Sequence, residues 1–218
     1  MNRTMQLAIT QTEYGAFQKA YDFLNVELFG GTLPAVLITL QRRARSRGFF
    51  APGKFVGRSE ETATHELALN PDHFGRTDEA ILSTLVHEMA HVWQETHGKP
   101  PRRNYHDRQW GAKMMKIGLH PSSTDEPGGK ETGATISHYI IEGGPYTLAF
   151  TRLKATGFEL RWQSRADDRE RRKKAASKTK YTCPNCEQNA WAKPDASLIC
   201  GVCYDGEGEI HAMETENN

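Results

Sequence analysis

The chain has 218 residues, 37% hydrophobic, and a formal net charge of +1, a length that suits one well-packed domain plus an appendage rather than two full domains. No stretch approaches the roughly 20 apolar residues that span a bilayer, and the opening MNRTMQLAITQTEYG lacks the apolar run of a secretory signal, so a cytoplasmic protein with no membrane partner is expected. The total charge hides a division: residues 1–151 carry 16 basic and 16 acidic side chains, residues 152–180 carry 11 and 4 (net +7), and residues 181–218 carry 1 and 7 (net −6).

In chain order, Phe17, Tyr21, Leu24 and Leu28 recur at helical spacing and Gly30-Gly31 offer a left-handed stop, which predicts an amphipathic N-terminal helix. AVLITLQ, FFAPGKFV and HELALN then predict a small antiparallel sheet by residue 70. Pro52-Gly53 reads as a hairpin turn between two apolar pairs, and Asn70-Pro71 ends the last strand. Thr77 is an N-cap for a helix reaching about Gly98, with Asp78 and Glu79 at the positive end of its dipole. Leu82, Leu85, Met89, Val92 and Trp93 share one side of that helix, while Thr84, His87, His91 and Gln94 share the other. A following helix is predicted from about His106 to Ile117, closed by Gly118. PSSTDEPGGKETG, residues 121–133, reads as an exposed loop, and HYIIEGGPYTLAF returns to the sheet or covers a cleft. Beyond 152 the core signals fade into RADDRERRKKAASKTK, a solvated linker or single helix.

The chemistry concentrates in HEMAHVWQETH, residues 87–97. Residues four apart on a helix are separated by about 6 Å of rise on nearly one side, so the imidazoles of His87 and His91 can reach one ion. Glu88 follows the first histidine, where its carboxylate can approach a metal-activated water rather than the metal. The third ligand is the open question. His97 has the histidine spacing of HExxHxxGxxH, but Gln94 stands where that pattern turns on glycine, and a continuing helix points His97 about 240° away from His91. Glu95 lies about 12 Å along the axis from His87. His120 and His138 have no positional argument. His106, after the turn GKPPRRNY, comes onto the metal if the helix it opens packs back against the first. Three histidines would leave zinc's fourth position for water, whose pKa falls to about 7 there. Glu88 would take that water's proton and pass it to the leaving amine of a cleaved peptide.

LSTLVHEMAHVWQ followed by YHDRQWGAKMMKIGL resembles the SprT-like family, to which the Spartan DNA–protein crosslink proteases belong. LPAVLITL, the LNP at 69–71, GGKETG and the terminal cysteines extend the resemblance over most of the chain. It implies an α+β, zincin-like metalloprotease domain over 1–151, with Glu88 catalytic and His87, His91 and His106 holding zinc. Asp107 stands where eukaryotic members often have glycine. Bacterial members have been described as transcription-elongation-like, so the resemblance also permits a non-proteolytic nucleic-acid-binding protein. The hydroxide chemistry by itself also permits a metallohydrolase of another substrate class.

Cys183, Cys186, Cys200 and Cys203 form C-x2-C-x13-C-x2-C, which closes two knuckles around a structural zinc. This predicts a C-terminal zinc ribbon over 181–204 with a core of Trp191, Leu198 and Ile199, after a basic linker at 152–180 and before a frayed acidic tail at 205–218. Redox pairing is disfavoured because no βαβ context surrounds either pair. In the SprT-like family such a ribbon resembles a nucleic-acid-binding element. The linker cations, with Arg161, Trp162 and Arg165, mix charge and an aromatic platform as single-strand binders do. Arg42, Arg43, Arg45 and Arg47 form a second run, and either run reads equally as a solvated face. The expected partners are a protein substrate and DNA, reached through linker and ribbon, with nucleoid association in a bacterial cell. His65, His73, His120, His138 and His211 are set aside as surface or hydrogen-bonded core residues, with a place for His138 or Tyr139 in the lining of the cleft as the lesser alternative.

Overall fold

The structure, a computed structural model, describes residues 8–59, 62–102, 105–164 and 179–215. They belong to two compact units, dividing between residues 166 and 167. Arg165 and most of the basic strip lie outside the described residues.

The first unit is a mixed α+β assembly. Helix α1 (Ile9–Phe29) buries Phe17, Tyr21 and Leu24 and ends at Gly30 and Gly31, both at positive φ, with the Gly31 N–H donating 2.9 Å to the Asn25 carbonyl. That is the glycine stop expected from the sequence. The Tyr21 hydroxyl donates 2.6 Å to the Pro34 carbonyl and pins the chain where strand β1 (Val36–Leu40) begins. Strands β2 (Gly48–Val56) and β3 (Ala63–Leu69) complete a sheet of order β1-β3-β2.

Two expectations are corrected here. The sheet is mixed, because the link from β1 crosses to the far edge before β2 hairpins back, leaving the apolar β3 in the middle, parallel to β1 and antiparallel to β2. Pro52-Gly53 is not a hairpin turn: it sits inside β2, where the register with β3 slips between Ala51 and Phe55. An edge strand tolerates proline's missing donor, and Gly53 (φ 56) takes the bulge conformation while its N–H donates 3.0 Å to His65 Nδ1.

Helix α2 (Asp78–His97) is capped by the Thr77 hydroxyl, which accepts the Ala80 N–H at 3.2 Å. It is buried on its polar side as well as its apolar one, taking Ser83, Thr84, His87, Glu88 and Gln94 into the interior beside β2 and β3. Helix α3 (Arg108–Lys116) and the two-stranded β4 (Leu119–Ser122)–β5 (Ser137–Ile140) sheet follow. The segment read as an exposed loop therefore begins with buried Pro121 and Ser122. Helix α4 (Pro145–Ala155) packs on α1 and ties back to α2 through the Tyr146 hydroxyl, 2.5 Å from the Glu79 carbonyl. Gly118 (φ 92) must be glycine, since a Cβ there would lie 2.7 Å from the Tyr146 backbone nitrogen. The boundary expected at 151 falls inside α4, and buried Leu153 and Phe158 carry the core past it. Among the described residues no helix is long and apolar enough to cross a membrane.

The second unit holds β6 (Thr179–Thr182), β7 (Asn189–Ala192), α5 (Gly201–Glu207) and β8 (Glu214–Thr215), with sheet order β7-β6-β8. Its centre is Cys183, Cys200 and Cys203 with Met213 against them, and Tyr181 is buried too. Trp191 and Ile199, expected as core, are 61% and 58% exposed. The cysteines occupy the centre of so small a unit and leave Trp191 and Ile199 outside. The acidic tail does not fray throughout: the Met213 N–H donates 2.9 Å to the Leu198 carbonyl, and residues 214 and 215 pair with β6.

Candidate metal centre

His87 and His91 leave α2 one turn apart, as their spacing requires, and their ring centroids are 5.3 Å apart. His106 meets both, at 5.4 and 4.8 Å. One nitrogen from each of the three lies within 4.8 Å of the others.

His106 reaches the cluster in a way the sequence reading missed. It does not open α3; it stands ahead of the helix and is held by an antiparallel bridge to Gly133, with N–H···O contacts of 2.8 and 3.0 Å in the two directions. The N-cap is Asp107, whose Oδ1 accepts the Trp110 N–H at 2.9 Å and the Gln94 side-chain amide at 2.8 Å. The two departures from familiar zincin patterns, Gln94 and Asp107, are thus bonded to each other. Their bond clamps the His106 segment against α2. Trp110 forms a fully buried floor, with ring centroids 4.8, 5.1 and 4.4 Å from those of His87, His91 and His106.

The other candidate ligands are elsewhere. The His97 Nε2 is 3.0 Å from the Thr32 carbonyl, Glu95 is outside the cluster, and His120 stacks on Tyr139 at 4.8 Å. His138 is different: its Nδ1 lies 3.1 Å from His87 Nδ1 and its Nε2 lies 2.9 Å from Ser83 Oγ. Neither Ser83 nor Trp110 stood out in the sequence. Ser83 precedes His87 by one helical turn, so the i, i+4 rule placed them together in principle. Nothing in the order of residues showed that β5 would bring His138 to both.

The surroundings favour uncharged imidazoles. Burial lowers His87 well below the usual histidine value, with His138, His91 and His106 adding to the effect. Burial brings His91 down to about 3 and His138 to about 4, and lowers His106 as well. The His106 Nδ1, 3.1 Å from the Gly133 carbonyl, must be the protonated nitrogen, which leaves Nε2 with the lone pair. Three neutral nitrogen donors with no carboxylate among them fit zinc in a site that keeps a position for a further ligand. Glu88 is 5% exposed and burial pushes its carboxyl up to about 8 against the pull of Arg43. Residue 48 packs closely on its Oε1: a Cβ there would stand 3.1 Å from that oxygen, and glycine leaves the carboxyl its position.

The four cysteines of the second unit form the other candidate ligand set, all sulfurs within 4.8 Å, with Cys183–Cys203 at 3.8 Å and Cys186–Cys200 at 3.5 Å. None is in a disulfide. The Cys186 backbone N–H is the main influence drawing the Cys183 thiol down, while burial and the neighbouring sulfurs push Cys203 up, so without an ion the protons are divided unequally among the four. Four soft ligands suit a closed structural zinc site.

A sequence model of the SprT-like family matches residues 17–138, which run from within α1 through the three-stranded sheet, α2, His106 and α3 to His138 in β5. The chain is also 43% identical over 58 residues to the "Uncharacterized protein in mucB 3'region" of Salmonella typhimurium, a match covering 27% of this chain and 78% of that protein. No solved structure matches it.

Proposed function

Since the chain belongs to the SprT-like family, we propose that it is a zinc-dependent endopeptidase acting on DNA-associated or DNA-crosslinked proteins. The observation that carries this reading is the convergence of His87, His91 and His106 nitrogens within 4.8 Å, with the buried carboxyl of Glu88 one residue beyond the first. The three histidines would hold the ion, which supplies Lewis acidity and makes a water proton acidic near neutral pH. Glu88 Oε1 accepts the proton of the attacking water and returns it to the amide nitrogen as the peptide bond breaks. A base with a carboxyl drawn toward neutrality suits both halves of that transfer. Trp110 excludes water from behind the histidines, and the Gln94–Asp107 bond keeps His106 in place.

The reading also assigns DNA as a partner, and the cations of the first unit support it unequally. Arg42 is paired with Asp72 and Arg47 with Asp125, while Arg43 lies over the Phe49 ring and Arg45 is exposed at φ 62. Trp162, 52% exposed beside Arg161, provides an aromatic face. The acidic ribbon contributes aromatic surface through Trp191 and Tyr204, but its net −6 repels phosphate, so the main electrostatic attraction is assigned to the first unit and the linker.

The test is cleavage of a DNA-binding or DNA-crosslinked protein, with and without DNA, by wild type and Glu88→Gln. The expected result is proteolysis by wild type alone. Equal cleavage by both removes Glu88 from the reaction. No cleavage by either, with DNA binding intact, favours the non-proteolytic nucleic-acid-binding protein.

A further inference from the structure

Ser83 and His138 are buried polar residues that the proposed reaction does not use, yet they stand in line behind one of its ligands. We propose that they form a positioning relay that fixes the tautomer of His87, leaving the Nε2 lone pair for the metal. The inference rests on the reading that His87 is a zinc ligand.

The relay follows from counting hydrogens. Ser83 has one, and its hydroxyl lies 3.0 Å from the Ala80 carbonyl, which can only accept. Having donated there, Ser83 Oγ accepts from His138, so His138 carries its proton on Nε2, at 2.9 Å. A neutral imidazole has a single N–H, and His138 Nδ1 is therefore an acceptor. Facing it at 3.1 Å, His87 Nδ1 must donate. The lone pair of His87 then sits on Nε2, on the opposite edge of the ring.

The reverse order is also conceivable: Ser83 donates to His138 Nε2, His138 Nδ1 donates to His87, and His87 is left with its proton on Nε2. That order strips the Ala80 carbonyl of the Ser83 bond and disables His87 as a ligand through Nε2. Only the first order is compatible with a metal in the cluster.

The short stretch from Gly133 to His138 thus orients two of the three ligands, His106 through a carbonyl and His87 through a ring nitrogen. It is held rigidly for the task. Ile136 is in the core, and Arg47 bonds Ser137 Oγ at 3.2 Å and both oxygens of Asp125 at 3.1 and 2.6 Å. Hydrogen bonds to the non-ligating nitrogen fix ring orientation and raise ligand basicity, and their loss weakens metal affinity by about 10- to 100-fold.

The test uses the full chain with its cysteine site already zinc-loaded. Nitrogen-15 NMR of the imidazoles reads the His87 tautomer without metal at the histidine cluster, and competition with a chelator reads zinc affinity there. Wild type should show His87 protonated on Nδ1. His138→Leu, which has no acceptor, should lose that single tautomer and bind zinc about 10- to 100-fold more weakly. His138→Asn, whose amide oxygen can replace the Nδ1 acceptor, should restore most of the affinity. Ser83→Ala removes only an oxygen and decides the matter if His138→Leu does not fold: it should give a mixture of tautomers and an intermediate affinity. A wild-type His87 protonated on Nε2, or equal affinity in the Leu and Asn variants, overturns the relay. A wild type that binds zinc with His87 in the Nδ1–H form and cleaves nothing refutes the peptidase reading while the relay stands.

Discussion

Replacing Asp107 by alanine removes two bonds made by one oxygen. The first is the N-cap of α3, which is worth about 1 kcal/mol. The second is the acceptor for Gln94, a residue 2% exposed whose amide keeps only a 3.4 Å contact to Gln109 once Asp107 is gone. A buried donor left unpaired costs about 1–3 kcal/mol. The sum predicts a loss of about 2–4 kcal/mol for Asp107→Ala, measured by urea unfolding with the fluorescence of Trp93 and Trp110 as the signal. Asp107→Asn keeps an oxygen with two lone pairs in the same position and should lose far less. The decisive comparison is a double-mutant cycle with Gln94→Met: once the buried amide is absent, Asp107→Ala costs little more than the cap. Additivity of the two changes within about 0.5 kcal/mol would show that the residues are uncoupled and would refute the clamp.

Gly48→Ala places a Cβ 2.9 Å from the Ala68 carbonyl and 3.1 Å from Glu88 Oε1. The strand must shift from the Ala68 carbonyl and the Glu88 carboxylate must give by a few tenths of an ångström, so turnover should fall, though by less than the roughly 100-fold that a misplacement of about 1 Å costs; kcat at unchanged zinc content measures it, and wild-type kcat would sink the argument. Burial alone would raise the Asp125 carboxyl, but hydrogen bonds from Arg47 and Ser137 bring it below its ordinary 3.8. A depressed carboxyl stabilises the fold above its unfolded value and loses that contribution as pH falls through the folded one, so the stability gap between wild type and Asp125→Asn should be full at pH 7 and close below about pH 4. A gap that widens with acid would reverse the assignment. Cys200→Ser should release the ribbon's zinc and abolish its β6–β7 pairing, read by metal analysis and amide exchange, since the buried centre of that unit is chiefly cysteine. Retained protection in β6 without zinc would mean the fold does not depend on the metal.

The helices were legible in the sequence because their signals are local. Gly30-Gly31, Thr77 and Gly98 mark ends that the backbone obeys, and the i, i+4 pair of His87 and His91 needs only the helix itself. What was hidden depends on partners distant in the chain. Pro52-Gly53 carries the same local chemistry in a turn and in an edge-strand bulge, and only the slipped pairing with β3 distinguishes them. His106 could be placed near His87 and His91 by spacing, but not the Gly133 bridge that holds it, since 27 residues separate the two.

The role of Asp107 was hidden for the same reason. It stands where eukaryotic relatives often have glycine, and Gln94, read separately, stands where another pattern turns on glycine. Gln94 is a buried amide that must be satisfied, and a chain that brings α3 back against α2 supplies the half-buried Asp107 as its acceptor. Paired departures of complementary chemistry, a carboxylate and an amide on either side of a predicted turn, therefore carry information that neither residue carries alone: they fix the angle at which the third histidine arrives. His138 and Ser83 obey the same logic, since a serine one turn ahead of His87, buried on the polar side of its helix, requires a partner from elsewhere. The identity of that partner is a property of the β4–β5 register, which sets His138 opposite Pro121.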